Sequence, residues 1–125
     1  MKVERKNYAV LGNPVGPYVH ATKCNGMLHV SGLTAFGSAA HGRGMAEEAT
    51  EIFRQIKTIA AQEGFGLEAL AKVTIFVTKL DELDSLRDVL FKAYGTNLPA
   101  SSLVQVAGLF SPEINIEIEA VLCVG

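Results

Sequence analysis

A chain of 125 residues with 49% hydrophobic and 19% charged side chains suits one compact domain, residues 1–125, with a sizeable core. Its 11 basic and 13 acidic side chains leave a formal charge of −2, so it lacks the basic footprint of a nucleic-acid binder and no nucleic acid is expected as partner. No stretch approaches the roughly 18 apolar residues of a membrane span, and MKVERKNYAVLG lacks the apolar run of a secretory signal, so a cytoplasmic chain without membrane contact is expected.

NYAVL (7–11) reads as a short strand, and GNPVGP (12–17) as an irregular loop stiffened by two prolines. YVHATKC (18–24) suits a strand, Asn25-Gly26 is a strong two-residue hairpin signal, and MLHVS (27–31) is the return strand. Residues 37–44 are glycine-rich and polar, a loop. The helix that follows is marked by Met45, Ala49, Ile52, Phe53, Ile56, Ile59 and Ala60 at three- and four-residue steps. Glu47, Glu48 and Glu51 near its start favour the helix dipole, and Gly64 and Gly66 close it.

Leu67–Ala71 reads as one helical turn, and KVTIFVT (72–78) as a buried, β-branched strand near the sheet's centre. Asp81 opens a second amphipathic helix, with Leu83, Leu86, Val89, Leu90 and Ala93 inward and Gly95 as its stop. Two strands finish the chain, 101–107 and 115–124. The order β-β-β-α-β-α-β-β predicts an α+β fold, one mixed sheet with both helices packed on a single face. Two helices cover only one face; KVTIFVT is too apolar to turn its other side to water, so an oligomer with inward-facing sheets is expected.

Alternation in NIEIEAV places Glu117 and Glu119 on one strand face, about 7 Å apart. Such a pair can act as acid and base where their surroundings separate their pKa values, or it can simply line a solvated edge. His20, His29 and His41 have no metal-ligand spacing and fit surface or hydrogen-bonded core positions; His20 shares a strand face with Tyr18. Cys24 and Cys123 are isolated and read as free thiols. Ser31-Gly32 at a strand end can offer a hydroxyl and a backbone N–H to a ligand, or be a plain strand terminus. Arg43 fits a solvated loop position, and Asp81, Glu82 and Asp84 an N-cap and first helical turn.

GPY (16–18), NGMLHVSG (25–32), EEATEIFRQIK (47–57), VTIFVTKLDEL (73–83), LPAS (98–101) and NIEIEAV (115–121) together resemble the Rid proteins. This reactive-intermediate deaminase family is also called YjgF, RutC-like or endoribonuclease L-PSP. The resemblance spans nearly the whole chain. It implies a chorismate-mutase-like homotrimer with ligand clefts between subunits, in which active members hydrolyse enamines and imines to keto acids and ammonia with no metal or organic cofactor. An RNA-cleaving role would rest on the family label alone, and the charge argues against it.

By the same resemblance, Tyr18 and Ser31, with Gly32 beside it, line the cleft, and Glu117 holds the attacking water. Four departures stand out. Ser101 occupies the place of the arginine that grips the substrate carboxylate, Asp88 that of a cleft asparagine and Phe91 that of a tyrosine; Glu48 replaces a glutamine on the first helix. Serine can replace neither the charge nor the two-pronged hydrogen bond of arginine, a contact worth about 2–5 kcal/mol when buried. The expectation is a divergent member that hydrolyses an imine or enamine other than the usual 2-imino acids. The alternative is a trimeric small-molecule binder with no turnover.

Overall fold

The computed structural model describes residues 2–125. Asn25 and Gly26, both left-handed at φ 53° and 78°, make the tight turn between β2 (Ala21–Cys24) and β3 (Met27–Leu33). Two consecutive positive φ angles match the right-handed twist of the strands they join. β1 (Glu4–Lys6) adds to this hairpin, Arg5 opposite Thr22.

The strand expected over 7–11 does not form. The Tyr8 N–H donates to His20 Nδ1 at 2.9 Å, and the Leu11 N–H turns back onto the Tyr8 carbonyl at 2.9 Å, closing a single 3-10 turn over Ala9–Leu11. Backbone donors captured locally are lost to a sheet ladder. The same cause shortens the strand expected from Tyr18, which begins only at Ala21. The Tyr18 N–H donates to the Gly16 carbonyl and the His20 N–H to Asn7 Oδ1.

α1 (Met45–Gln62) buries the expected stripe. Its N-cap, Gly44, has no side chain to offer; Glu82 Oε1 accepts the Met45 N–H instead, at 3.3 Å, while Lys79 holds Glu82 Oε2 at 2.7 Å. Glu82, expected at the start of its own helix, thus caps the other one. After a 3-10 turn at Leu67–Ala69 come β4 (Leu70–Val77), α2 (Leu83–Tyr94), β5 (Ala100–Gln105) and β6 (Ile116–Cys123). α2 starts two residues later than Asp81 and ends, as expected, at Gly95, with φ 57°.

The six strands form one sheet in the order β1-β2-β3-β6-β4-β5. Only the β4–β5 pair is parallel, and it lies at an edge. Along β6, Ile116, Ile118, Ala120 and Leu122 are buried toward the helices, and Glu117, Glu119, Val121 and Cys123 take the opposite face. β4 splits likewise. Val73, Ile75 and Val77 enter the core, and Lys72, Thr74 and Phe76 occupy the uncovered face. That face is therefore less apolar than the run KVTIFVT suggests, because the period of two sends most of its branched residues one way. The α+β sheet with two helices on one side is the expected fold. Among the described residues no helix is long and apolar enough to cross a membrane.

Glu63, just past α1, ties the N-terminal segment down. Its side chain is only 4% exposed and meets Lys6 Nζ at 2.7 Å, Lys23 Nζ at 3.6 Å and the Tyr8 hydroxyl at 3.0 Å. Burial opposes its ionisation, but the Lys6 and Tyr8 hydrogen bonds and the two lysine charges prevail and hold the carboxyl below its ordinary 4.5. A depressed carboxyl contributes stability above its unfolded pKa and loses it as pH falls through the folded value. Glu63→Gln is expected to cost about 1–3 kcal/mol in urea unfolding at pH 7, with the gap to the parent closing as the pH is taken below 4.5.

Candidate functional site

Strand β3 is irregular where it leaves the sheet. Val30 pairs with Ala120 and Leu33 with Ile118, so Ser31 and Gly32 together face one residue of β6, a bulge. The bulge brings the Gly32 backbone against Glu117: a Cβ at residue 32 would sit 2.8 Å from the Glu117 Cδ and closer still to Oε2. Only glycine leaves that carboxylate its place.

Glu117 is half-buried, and Glu119 on the same strand face is exposed. Burial, and then the charge of Glu119, push the Glu117 carboxyl above its ordinary range. Among the described residues no hydrogen bond to its oxygens offsets either effect. The two carboxylates thus differ in environment as an acid–base pair requires.

Both glutamates line a cleft of about 910 Å³ between the N-terminal loop, the β3 bulge, β6 and the middle of α1. Tyr18, Ser31 and Gly32 line it too, so four of the six sequence-predicted site residues meet in one place within one chain. Tyr18 is 46% exposed and offers its phenol to the cleft. Ser31 is more committed than expected. Its hydroxyl donates to the Val19 carbonyl at 2.7 Å and its N–H to the His20 carbonyl at 2.9 Å. The Ser31 N–H is thus occupied, and the hydroxyl oxygen faces a ligand only as acceptor.

Asp88 and Ser101 lie elsewhere. Asp88 is exposed on α2, and Ser101 is exposed on the edge strand β5, opposite Val73. Neither lines the cleft of its own chain. Glu48, in the place of a family glutamine, is a structural strut. It is fully buried, its Oε1 accepting the Asn115 N–H at 2.8 Å and its Oε2 the Asn115 Nδ2 at 2.7 Å. Phe91 is exposed on α2.

Residues that the sequence reading did not assign to a site complete the wall. His20 is buried, with Nδ1 accepting the Tyr8 N–H, which leaves the ring proton on Nε2; burial lowers its pKa and keeps it neutral. Phe36 and Phe110 pack at a centroid distance of 5.0 Å beside the opening. From α1 come Glu51, Arg54 and Gln55. Their only mark in the sequence is three- and four-residue spacing on the polar side of a helix, which a solvated face shares. Among the described residues no three His, Cys, Asp or Glu side chains gather as a metal-ligand set.

The raised Glu117 pKa has a stability consequence. A carboxyl whose folded pKa exceeds its unfolded value stabilises the fold below the unfolded pKa, and that contribution is lost as pH rises through the folded one. Glu117→Gln is therefore expected to resist urea better than the parent at pH 8 and to match it at pH 4. Equal midpoints at both pH values would contradict the unpaired, half-buried carboxylate.

Sequence and structure comparisons place this geometry in context. The endoribonuclease L-PSP family profile matches residues 10–124. A RutC family protein of Aquifex aeolicus is 34% identical over 114 residues, covering 86% of this chain and 90% of that protein. A 2-iminobutanoate/2-iminopropanoate deaminase of Dermatophagoides farinae is 25% identical over 114 residues, covering 89% and 88%. The crystal structure of a putative endoribonuclease from Thermotoga maritima superposes with a TM-score of 0.77 at 32% identity, over 87% of each chain. With its profile matched over nearly the full length, on the bulged sheet described above, the chain belongs to the endoribonuclease L-PSP family, the Rid/YjgF/RutC proteins.

Proposed function

We propose that this protein hydrolyses an imine or enamine other than the usual 2-imino acids, releasing ammonia, in a cleft completed between the subunits of a homotrimer. The observation that carries this reading is the Glu117 carboxylate, half-buried, pushed up in pKa and open to the cleft beside the bulge at Gly32. A base of raised pKa is suited to taking a proton from water near neutral pH. Water adds to the carbon of the protonated C=N as Glu117 accepts its proton, leaving a neutral carbinolamine. Glu117 returns that proton to the nitrogen, and as the C–N bond breaks to release ammonia the hydroxyl proton passes back to the Glu117 carboxylate and the C=O bond forms. Tyr18 and the Ser31 oxygen orient the substrate. The deaminase name of the mite relative supports this class of chemistry.

Trimerisation accounts for two features. The sheet face opposite the helices is uncovered, and every residue of β5 is exposed, including Leu103 and Val104. Asp88 and Ser101, outside the cleft of their own chain, would be brought to a neighbour's cleft. With serine at 101 that neighbour contributes a neutral hydrogen bond in place of a guanidinium, which disfavours a carboxylate on the imine carbon.

Glu117→Gln is expected to lower kcat about 10²- to 10⁴-fold, in a coupled assay of ammonia release from freshly generated imines. In the parent the acid limb of kcat/KM should lie above the ordinary 4.5 of a glutamate. If the parent accelerates the hydrolysis of no imine yet binds a metabolite tightly, the protein is a binder and the enzymatic reading fails. Ser101→Arg is expected to create or raise activity on 2-iminobutanoate; no gain would remove Ser101 as the reason for divergence. Light scattering should give the mass of three chains, and a stable monomer would refute the shared cleft.

A further inference from the structure

Among the described residues lining the cleft, Arg54 is the one guanidinium, and no lysine joins it. It projects from the middle of α1 and lines the cleft together with the bulge residues Ser31 and Gly32. Its fork is held in place. Nε donates to Glu51 Oε1 and Nη2 to Glu51 Oε2, each at 2.8 Å. Glu51 is itself steadied by Gln55, whose Nε2 donates to Glu51 Oε2 at 2.8 Å and to the Thr34 carbonyl at 3.0 Å. Thr34 directly follows β3, so the chain of hydrogen bonds ties the guanidinium to the strand that carries Ser31 and Gly32.

Arginine has five N–H donors, and this clasp takes two. The other three remain for a ligand on a side chain that is 59% exposed and lines the cleft. A guanidinium already fixed by a carboxylate loses little rotamer freedom on binding a second oxyanion. Glu117 and Glu119, which line the same cleft, are suited to a protonated, cationic imine nitrogen. The cleft thus holds three carboxylates, Glu51, Glu117 and Glu119, and one guanidinium, which Glu51 pairs while leaving three of its N–H donors free. Arg54, on α1, belongs to a different element from Ser101, which lies on β5.

We infer that Arg54 is the specificity-determining cation of this cleft. It selects imines whose carboxylate is separated from the C=N carbon by a short aliphatic spacer, in place of the 2-imino acids that an arginine at 101 would hold. The inference rests on the proposed imine hydrolysis for its substrate and on the cleft geometry for its site. In the reaction R–CH=NH + H2O → R–CHO + NH3, Arg54 makes and breaks no covalent bond; it positions R.

Two imines made in situ by an amine oxidase separate the possibilities. One derives from 4-aminobutanoate and bears a remote carboxylate; the other derives from butylamine and is neutral. The parent is expected to favour the first in kcat/KM by roughly 10- to 100-fold, the range for a charge-assisted hydrogen bond. Arg54→Gln should bring that ratio to within about threefold, and Arg54→Lys, keeping charge without the fork, should fall between. Added salt should erode the parent's preference and leave the glutamine variant's ratio flat. A purely structural arginine would lower both rates together and leave the ratio where it was, which overturns the inference. NMR titration with butanoate and butanamide provides an arm that needs no turnover. Preference for butanoate that vanishes in Arg54→Gln sustains the anion site even if neither imine is hydrolysed, in which case only the catalytic reading falls. Equal binding of the two probes by parent and variant, or binding of neither, overturns the site.

Discussion

A fully buried carboxylate sets the position of the central strand. Glu48 enters the core from the first turn of α1, where a polar side chain is tolerated only if its oxygens are taken up by donors. Asn115 supplies both, through its backbone N–H and its side-chain amide. Because Asn115 directly precedes β6, this clasp anchors the strand at its first residue. Everything downstream follows at a period of two. Ile116 and Ile118 go to the helices, and Glu117 and Glu119 to the open face. A slip of one residue would bury both glutamates and expose the isoleucines. The clasp and the apolar pattern therefore demand the same register.

With β6 in place, the bulge in β3 decides the character of the Glu117 carboxylate. Without a bulge, Ser31 and Gly32 would continue the ladder and the neighbouring strand would present side chains at regular intervals. Instead two residues share one partner, and the one nearest Glu117 has no Cβ. Glu117 sits against bare backbone, half removed from water and beside the charge of Glu119. The raised proton affinity is thus a product of packing. The same glutamate on a regular, solvated strand would titrate as an ordinary one.

Charged groups elsewhere are organised by contrast to be satisfied. Glu63 gathers Lys6, Lys23 and Tyr8 and fastens the N-terminal strand to the end of α1. Glu82 caps a helix to which it does not belong. Glu51 holds Arg54 and Gln55. Against these partnered carboxylates Glu117 stands apart, and an unpaired, desolvated ionisable group in a cleft is the usual mark of a functional site.

Much of this was legible in the chain itself. The apolar stripe of α1, the Asn-Gly hairpin, the Gly95 stop and the alternation of NIEIEAV each state a local rule, and the fold obeys all of them. The motifs in register identified the family, and Tyr18, Ser31, Gly32 and Glu117 do converge on one cleft. What failed was local in appearance but long-range in cause. NYAVL has the composition of a strand, yet His20, twelve residues away, takes the backbone donor that the strand would need. Glu48 looked like a helix-dipole partner until Asn115, 67 positions on, claimed it. Arg54 carried no mark of the cleft in the sequence, because spacing on a helix reports a face but not what lies opposite. The amino-acid order by itself determined the elements, the strand faces and the family, since these depend on neighbours along the chain. Which carboxylate is left unpaired and which cation shares its cleft were decided only by the tertiary structure, because desolvation and charge pairing depend on groups that meet through folding.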